Sequence, residues 1–144
     1  MTVRVERTFE LSIAPDRVWE FIAVPENRAR AISVVADYDV DSRTGTHITW
    51  HVELPIPLVR RTITVETEDV TRDPPTFVKF VGRSKVMDVT GEHEIESTNG
   101  GSRLVNSFVV DGKVPGVEKF FKRNLDGELE NLRRALERDA RRDS

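Results

Sequence analysis

The sequence predicts an α+β domain in which a seven-stranded curved antiparallel sheet packs against a long C-terminal helix, with two short helices after the first strand. Three observations lead there. Apolar and polar residues alternate in seven successive stretches, the period of strands with one buried face. From Pro115 onward the period lengthens from 2 to 3.6. Between the first two strand stretches lies IAPDRVWEFIAVPEN (13–27), with apolar residues at helical spacing and a proline near each end. An antiparallel meander cannot bury its apolar face alone, so the long amphipathic helix has to cover it. With 144 residues and 38% apolar content, the chain suits one core, and 1–144 is expected to be a single domain with a frayed polar tail over about 139–144.

The first strand reads V-R-V-E-R-T-F-E-L, with Val3, Val5, Phe9 and Leu11 on one face and Arg7 interrupting it. Pro15 then suits the first helical position and Asp16 the positive end of the helix dipole, while Val18, Trp19, Ile22 and Ala23 form one face. Pro25 ends that helix, and PENRARAIS holds a second short helical turn. VVADYDV, THITWHVEL and VRRTITVETEDV follow as strands, separated by Ser42 to Thr46 and by the Pro55/Pro57 pair. Asp73, Pro74 and Pro75 mark the next loop. FVKFVGR, VMDVTGEHEIES and SRLVNSFVVDG complete the seven, the last two joined by a turn at Asn99-Gly100-Gly101. Val117, Phe120, Phe121, Leu125, Leu129, Leu132 and Leu136 trace a single stripe down a helix of about 25 residues.

Several function classes are disfavoured at once. A formal charge of −3, with basic residues scattered among acidic ones, gives no drive toward nucleic acid. The N-terminus lacks the apolar run of a signal peptide, and no window is apolar for the length of a membrane span. Without cysteine there is no disulfide, thiolate nucleophile or zinc–thiolate site, which fits a cytoplasmic protein. His47 and His51 stand at i, i+4, but on a strand that spacing separates the rings by about 13 Å. They lie opposite Ile48, Trp50, Val52 and Leu54, on the outer face, so no shared metal is expected. The carboxylates Asp37, Asp39 and Asp41, and Glu92, Glu94 and Glu96, likewise alternate outward. Neither a nucleophile elbow, a phosphate loop nor an H-E-x-x-H motif is present, and no cofactor is expected.

Polar residues on the apolar faces are more informative. If Met87, Val89 and Ile95 point inward, period 2 sends Gly91 and His93 inward with them. The same counting places Asn106 between Leu104 and Phe108, Tyr38 between Ala36 and Val40, and Arg61 beside Val59 and Ile63; Arg7 is the fifth. A buried polar group without a partner costs about 1 to 3 kcal/mol, so these five need water, each other or a ligand. Two readings fit: polar anchors in an apolar pocket, or groups that reach solvent at strand ends and satisfy one another in the core. Trp50, Phe120, Phe121, Leu125 and Leu129 share the ambiguity, filling a core or lining a hollow. Gly127, in mid-helix, is tolerated more easily if the helix approaches something closely or leaves space there.

The order of elements, the A-P-x-x-V-W opening of the first helix at Ala14 to Trp19, the phrase SRLVNSFVVDG and the helix NLDGELENLRRALE resemble the SRPBCC or START-like superfamily. That superfamily includes polyketide cyclase/dehydrase-like proteins, lipid-transfer domains and plant pollen-allergen-like proteins. The resemblance implies a helix-grip fold with a hydrophobic cavity between sheet and C-terminal helix. The expected lining is Tyr38, Trp50, Arg61, Met87, His93, Asn106, Phe108, Phe120, Phe121, Leu125 and Leu129. Three functions follow. The first is a binding or carrier protein for a hydrophobic small molecule such as a lipid, isoprenoid or polyketide-like compound. The second is a polyketide cyclase/dehydrase-like enzyme, with His93 as the proton-exchanging group and Tyr38 and Arg61 as hydrogen-bond donors. The third is an accessory or interaction protein with a collapsed pocket, favoured if no cavity exceeds about 300 Å³.

Overall fold

The computed structural model describes residues 2–41, 43–57, 59 and 61–142. Its elements run β1 (Thr2–Leu11), α1 (Pro15–Ile22), α2 (Pro25–Ala31), β2 (Val35–Val40), β3 (His47–Val52), β4 (Ile63–Asp73), β5 (Phe77–Arg83), β6 (Met87–Thr98), β7 (Gly101–Gly112) and α3 (Val117–Arg142). All strand pairs are antiparallel, in the order β1-β7-β6-β5-β4-β3-β2. The fold is the helix-grip arrangement, with α3 packed on β1 and β7 and against α1 and α2.

Each helix begins for a local reason. Pro15 and Pro25 occupy the first turns of α1 and α2, where a missing N–H leaves no bond unmade. Neither helix has a side-chain cap, so the prolines and the acidic residues Asp16 and Glu26 carry the start signal. Along α3 the buried residues are Val117, Phe121, Leu125, Leu129, Leu132 and Leu136, spaced by four and three. The β6 pattern is equally regular, with Met87, Val89, Gly91, His93 and Ile95 buried in turn.

Five expectations need correction. The buried face of α1 is Val18, Phe21 and Ile22, whereas Trp19 is half-buried with the Arg72 guanidinium 5.8 Å above its ring. β4 starts at Ile63, not Val59, because Pro55 and Pro57 keep the preceding segment out of the hydrogen-bonded ladder; Leu58 and Arg60 lie outside the described residues. β4 also continues to Asp73, past a bulge between Asp69 and Thr71. α3 runs to Arg142, beyond Arg138, with Arg17 of α1 holding Asp139 through its carboxylate and its carbonyl, each at 2.9 Å. Ser144 and Asp143 at the end of the expected tail, and Ser42 in the predicted β2–β3 break, fall outside the described residues. Gly127 neither approaches a neighbour nor makes room for one. A Cβ built on it meets nothing within 4 Å among the described residues.

Candidate functional site

Between the sheet and α3 lies an apolar hollow walled by Trp50 and Val52 of β3, Phe80 of β5, Met87, Val89 and His93 of β6, and Phe108 and Val110 of β7. Phe121, Leu125, Leu129 and Leu132 of α3 close it from the other side. Arg28 and Ala31 of α2, with Ile32, Val34, Val35 and Glu128, complete the wall toward the edge of the sheet. Its free volume is about 30 Å³. That is room for a water or two, far below the ~300 Å³ at which small-molecule pockets usually begin.

Phe80 is the hub of the aromatic wall. Its ring lies 5.7 Å from Trp50, 5.9 Å from Phe108 and 6.3 Å from His93, the last nearly parallel at 17°. Gly91 makes this possible, because it is the register partner of Phe80 and a Cβ there would come within 2.2 Å of Phe80 Cε1. The aromatic cluster therefore depends on a glycine whose inward position was readable but whose purpose was not.

His93 and Asn106 are directly opposed on β6 and β7, and both are fully buried. Asn106 Nδ2 donates to the carbonyls of Arg7 and Leu104, which leaves Oδ1 to accept from His93 Nδ1–H at 2.7 Å. His93 is thereby held in the tautomer with a lone pair on Nε2, and that atom has no hydrogen-bond partner among the described residues. Burial, aided by the nearby Arg28 charge and opposed by the Asn106 hydrogen bond, pushes the His93 pKa down to about 3. At neutral pH the ring is an uncharged acceptor.

The second polar group was not foreseen. Arg28 is buried and ion-pairs with Asp69, whose other oxygen accepts from Arg72 at 2.7 Å. Arg28 also donates to the Ile22 carbonyl at 3.0 Å, and its guanidinium sits 5.3 Å over Phe80. Burial lowers its pKa from the ordinary arginine value while the Asp69 charge acts against that. One half of this pair had a signal in the sequence: in ITVETED, period 2 puts Asp69 on the same face as Ile63, Val65 and Thr67. Arg28 had none, because nothing in PENRARA distinguishes it from the other arginine.

Of the expected lining, Trp50, Met87, His93, Phe108, Phe121, Leu125 and Leu129 meet at the hollow, and Asn106 stands behind His93. Three residues do not. Arg61 is exposed in the loop before β4. Tyr38 is only half-buried, since β2 is an edge strand and a register shift between Val35 and Asp37 breaks its alternation, leaving Ala36 and Val40 exposed. Phe120 sits about 100° around the helix from Phe121, half-buried, with the two rings edge to face at 5.1 Å. Arg7, the fifth inward polar residue, is satisfied by Asp126 at 3.4 Å and Glu130 at 3.7 Å on α3.

The outer-face histidines are separate. His47 faces Glu68 at 3.4 Å and His51 faces Asp39 at 2.7 Å, and no group of three or more candidate metal ligands occurs among the described residues. No described helix is long and apolar enough to cross a membrane.

Comparison with known proteins agrees with this architecture. A family model described as "Polyketide cyclase / dehydrase and lipid transport" matches residues 2–137. The Zhui aromatase/cyclase from Streptomyces sp. R1128 superposes with a TM-score of 0.73 at 15% identity, over 100% of this chain and 97% of that one. A START superfamily protein from Mycobacterium smegmatis gives 0.73 at 13% identity, over 98% and 99%. TTHA0849 from Thermus thermophilus gives 0.70 at 17% identity, over 100% and 99%. At these identities the likeness is one of fold. No curated protein matches the chain.

Proposed function

The chain belongs to the polyketide cyclase/dehydrase and lipid transport family, within the SRPBCC/START-like superfamily, and from that premise we propose that it binds and carries a hydrophobic small molecule under α3. The observation that carries this reading is the wholly apolar hollow between the sheet and α3, walled by Trp50, Phe80, Phe108, Phe121, Leu125 and Leu129.

Since the closed hollow has about 30 Å³, binding requires it to widen. The movable wall is the segment from Ile32 to Val35, which leads into the edge strand. It is tied to α3 by Glu128, whose carboxylate accepts from the Ser33 backbone N–H at 2.6 Å and from the Ser33 hydroxyl. Both contacts are exposed to water, so releasing them costs little compared with unpacking the core. On this reading Ser33 and Glu128 latch the edge of the hollow.

Two measurements test the proposal together: native mass spectrometry of gently purified protein, and titration with the neutral apolar fluorophore N-phenyl-1-naphthylamine. Bound small molecules or saturable fluorescence enhancement support it, with faster uptake in Glu128→Gln than in the wild type. Nothing bound in either assay overturns it.

The small hollow itself favours a second reading, an accessory or interaction protein with a collapsed pocket. The same pair of null results would select it. The cyclase/dehydrase alternative loses its intended proton carrier, because a ring with a pKa of about 3 is a weak base at pH 7. Tyr38 and Arg61, its intended donors, lie outside the hollow's wall.

A further inference from the structure

We infer that the end of the molecule around the start of α3 docks on an anionic lipid surface. That end lies outside the hollow and keeps its charge and shape whether or not the hollow is filled. The antiparallel order gathers distant segments there: the start of β1, the end of β7, the β5–β6 turn, the loop before β4 and the first turns of α3. Register pairs Arg4 with Val109, Asp111 with Asp88, and Asp88 with Arg83. The Lys113 N–H donates to the Val86 carbonyl at 2.8 Å, and a Cβ built on Gly116 would stand 3.8 Å from Ile56 Cδ1. The β7–α3 loop therefore touches both neighbouring loops, and Arg4, Lys119 and Lys122 line one groove beside Gly116.

Charge is the first argument. Arg4, Arg61, Arg83, Lys85, Lys119 and Lys122 are exposed at this end, and none makes an ion pair among the described residues. Cations elsewhere are matched, Arg7 to Asp126, Arg17 to Asp139 and Arg103 to Glu10. Lys113 takes up Asp88 at 2.9 Å. The carboxylates left nearby, Glu53, Glu66, Asp111 and Glu118, are fewer than the unpaired cations among the described residues. The N-terminus of α3, a helix of 26 residues, adds its own partial positive charge. A chain with a formal charge of −3 thus carries a local positive field at one end.

Hydrocarbon among these charges is the second. Ile56, Val59, Val114 and Phe120 are only half-buried, and Pro55 and Pro115 are exposed. A bilayer interface offers the complement of both, negative headgroups directly above hydrocarbon. The hollow lies toward the same end, since Val52, Met87, Val110 and Phe121 of its wall stand at the end of β3, the start of β6, the end of β7 and the first turns of α3. Docking there brings the hollow next to the lipid.

Co-sedimentation tests this, with vesicles of phosphatidylcholine alone and of phosphatidylcholine and phosphatidylglycerol in equal parts. The wild type should bind the anionic vesicles and not the neutral ones, and should be released as salt rises from about 0.1 M to about 1 M. Lys119→Gln/Lys122→Gln should weaken binding about thirtyfold, from about tenfold or less per cation near a charged lipid surface. Arg134→Gln/Arg138→Gln removes the same charge from exposed positions in the C-terminal half of α3. Those positions are about 20 Å further along the helix, beyond a Debye length, so the change should be less than about threefold.

Absence of binding to the anionic vesicles, equal binding to both kinds, or equal losses in the two double variants overturns the docking surface. Salt release is read on the wild type alone, independent of how the variants fold, and binding that salt leaves unchanged overturns it as well. Poly-L-glutamate bound in the absence of any vesicle binding assigns this end to an acidic protein instead, and the lipid surface is then wrong. The carrier reading fails separately: a protein that binds anionic vesicles but neither a co-purifying molecule nor N-phenyl-1-naphthylamine keeps the docking surface and loses the ligand.

Discussion

Lowering the pH from 7 to 5 tests the environment of His93 directly. Burial is the main reason its pKa falls from 6.5 to about 3, with the Arg28 charge adding to the effect and the Asn106 hydrogen bond opposing it. In the unfolded chain the ring takes up a proton as the pH drops through about 6.5. In the folded protein it stays neutral until about pH 3. Between those values the unfolded state binds more protons, so the stability linked to His93 is fully present above about 6.5 and is lost progressively toward 3. At pH 5 the loss from this one group is about 2 kcal/mol relative to pH 7, against a typical total of about 5–15 kcal/mol for a domain. Urea unfolding followed by tryptophan fluorescence at both pH values, in the wild type and in His93→Gln, isolates it. Glutamine keeps an N–H for Asn106 Oδ1 but does not titrate, so subtracting the two pH dependences removes the contribution of the carboxylates and of His47 and His51. The wild type should lose about 2 kcal/mol more than the variant. The reasoning is refuted if both lose the same amount, or if the His93 ring resonances titrate near pH 6.5 in the folded protein.

Three further outcomes follow from the packing. Gly91→Ala places a methyl against the Phe80 ring and should destabilise by about 1–3 kcal/mol, read as a lower urea midpoint; an unchanged midpoint would mean that Phe80 moves freely. Asp69→Asn strands the Arg28 charge in the core and should cost about 3 kcal/mol or more, whereas Glu92→Gln, which breaks the exposed 3.8 Å pair with Lys79, should change stability by less than about 0.5 kcal/mol. Equal effects in the two variants would contradict the burial of the Arg28–Asp69 pair. Gly127→Ala should raise the midpoint of thermal unfolding, by up to about 1 kcal/mol in stability, since a helical glycine is replaced where nothing stands in the way. A drop would reveal a contact on that face of α3.

Period 2 in VMDVTGEHEIES was enough to put His93 on the inner face, and period 2 in SRLVNSFVVDG did the same for Asn106. Because both strands are long and central, a one-residue error in register would have turned every apolar side chain outward. Tyr38 and Arg61 failed for the same physical reason in reverse. Each lies where alternation loses its meaning, one beside a register shift in an edge strand and the other in a proline-bounded loop. Phe120 failed because it borders the buried stripe of α3, and helix periodicity does not decide which flank faces the hollow.

The sequence by itself determined the fold, the succession of elements and most of the residues that meet beneath α3, because periodicity, proline placement and turn chemistry are local properties of the chain. Only the tertiary structure decided what those residues do together. Arg28 meets Asp69 across 41 positions of chain, the Phe80 ring occupies the space that Gly91 leaves, and the Asn106 amide fixes the His93 tautomer through carbonyls of β1 and β7. The width of the hollow belongs to the same class. It is set by how side chains from seven different elements and their connecting loops interlock, and no local pattern encodes that fit.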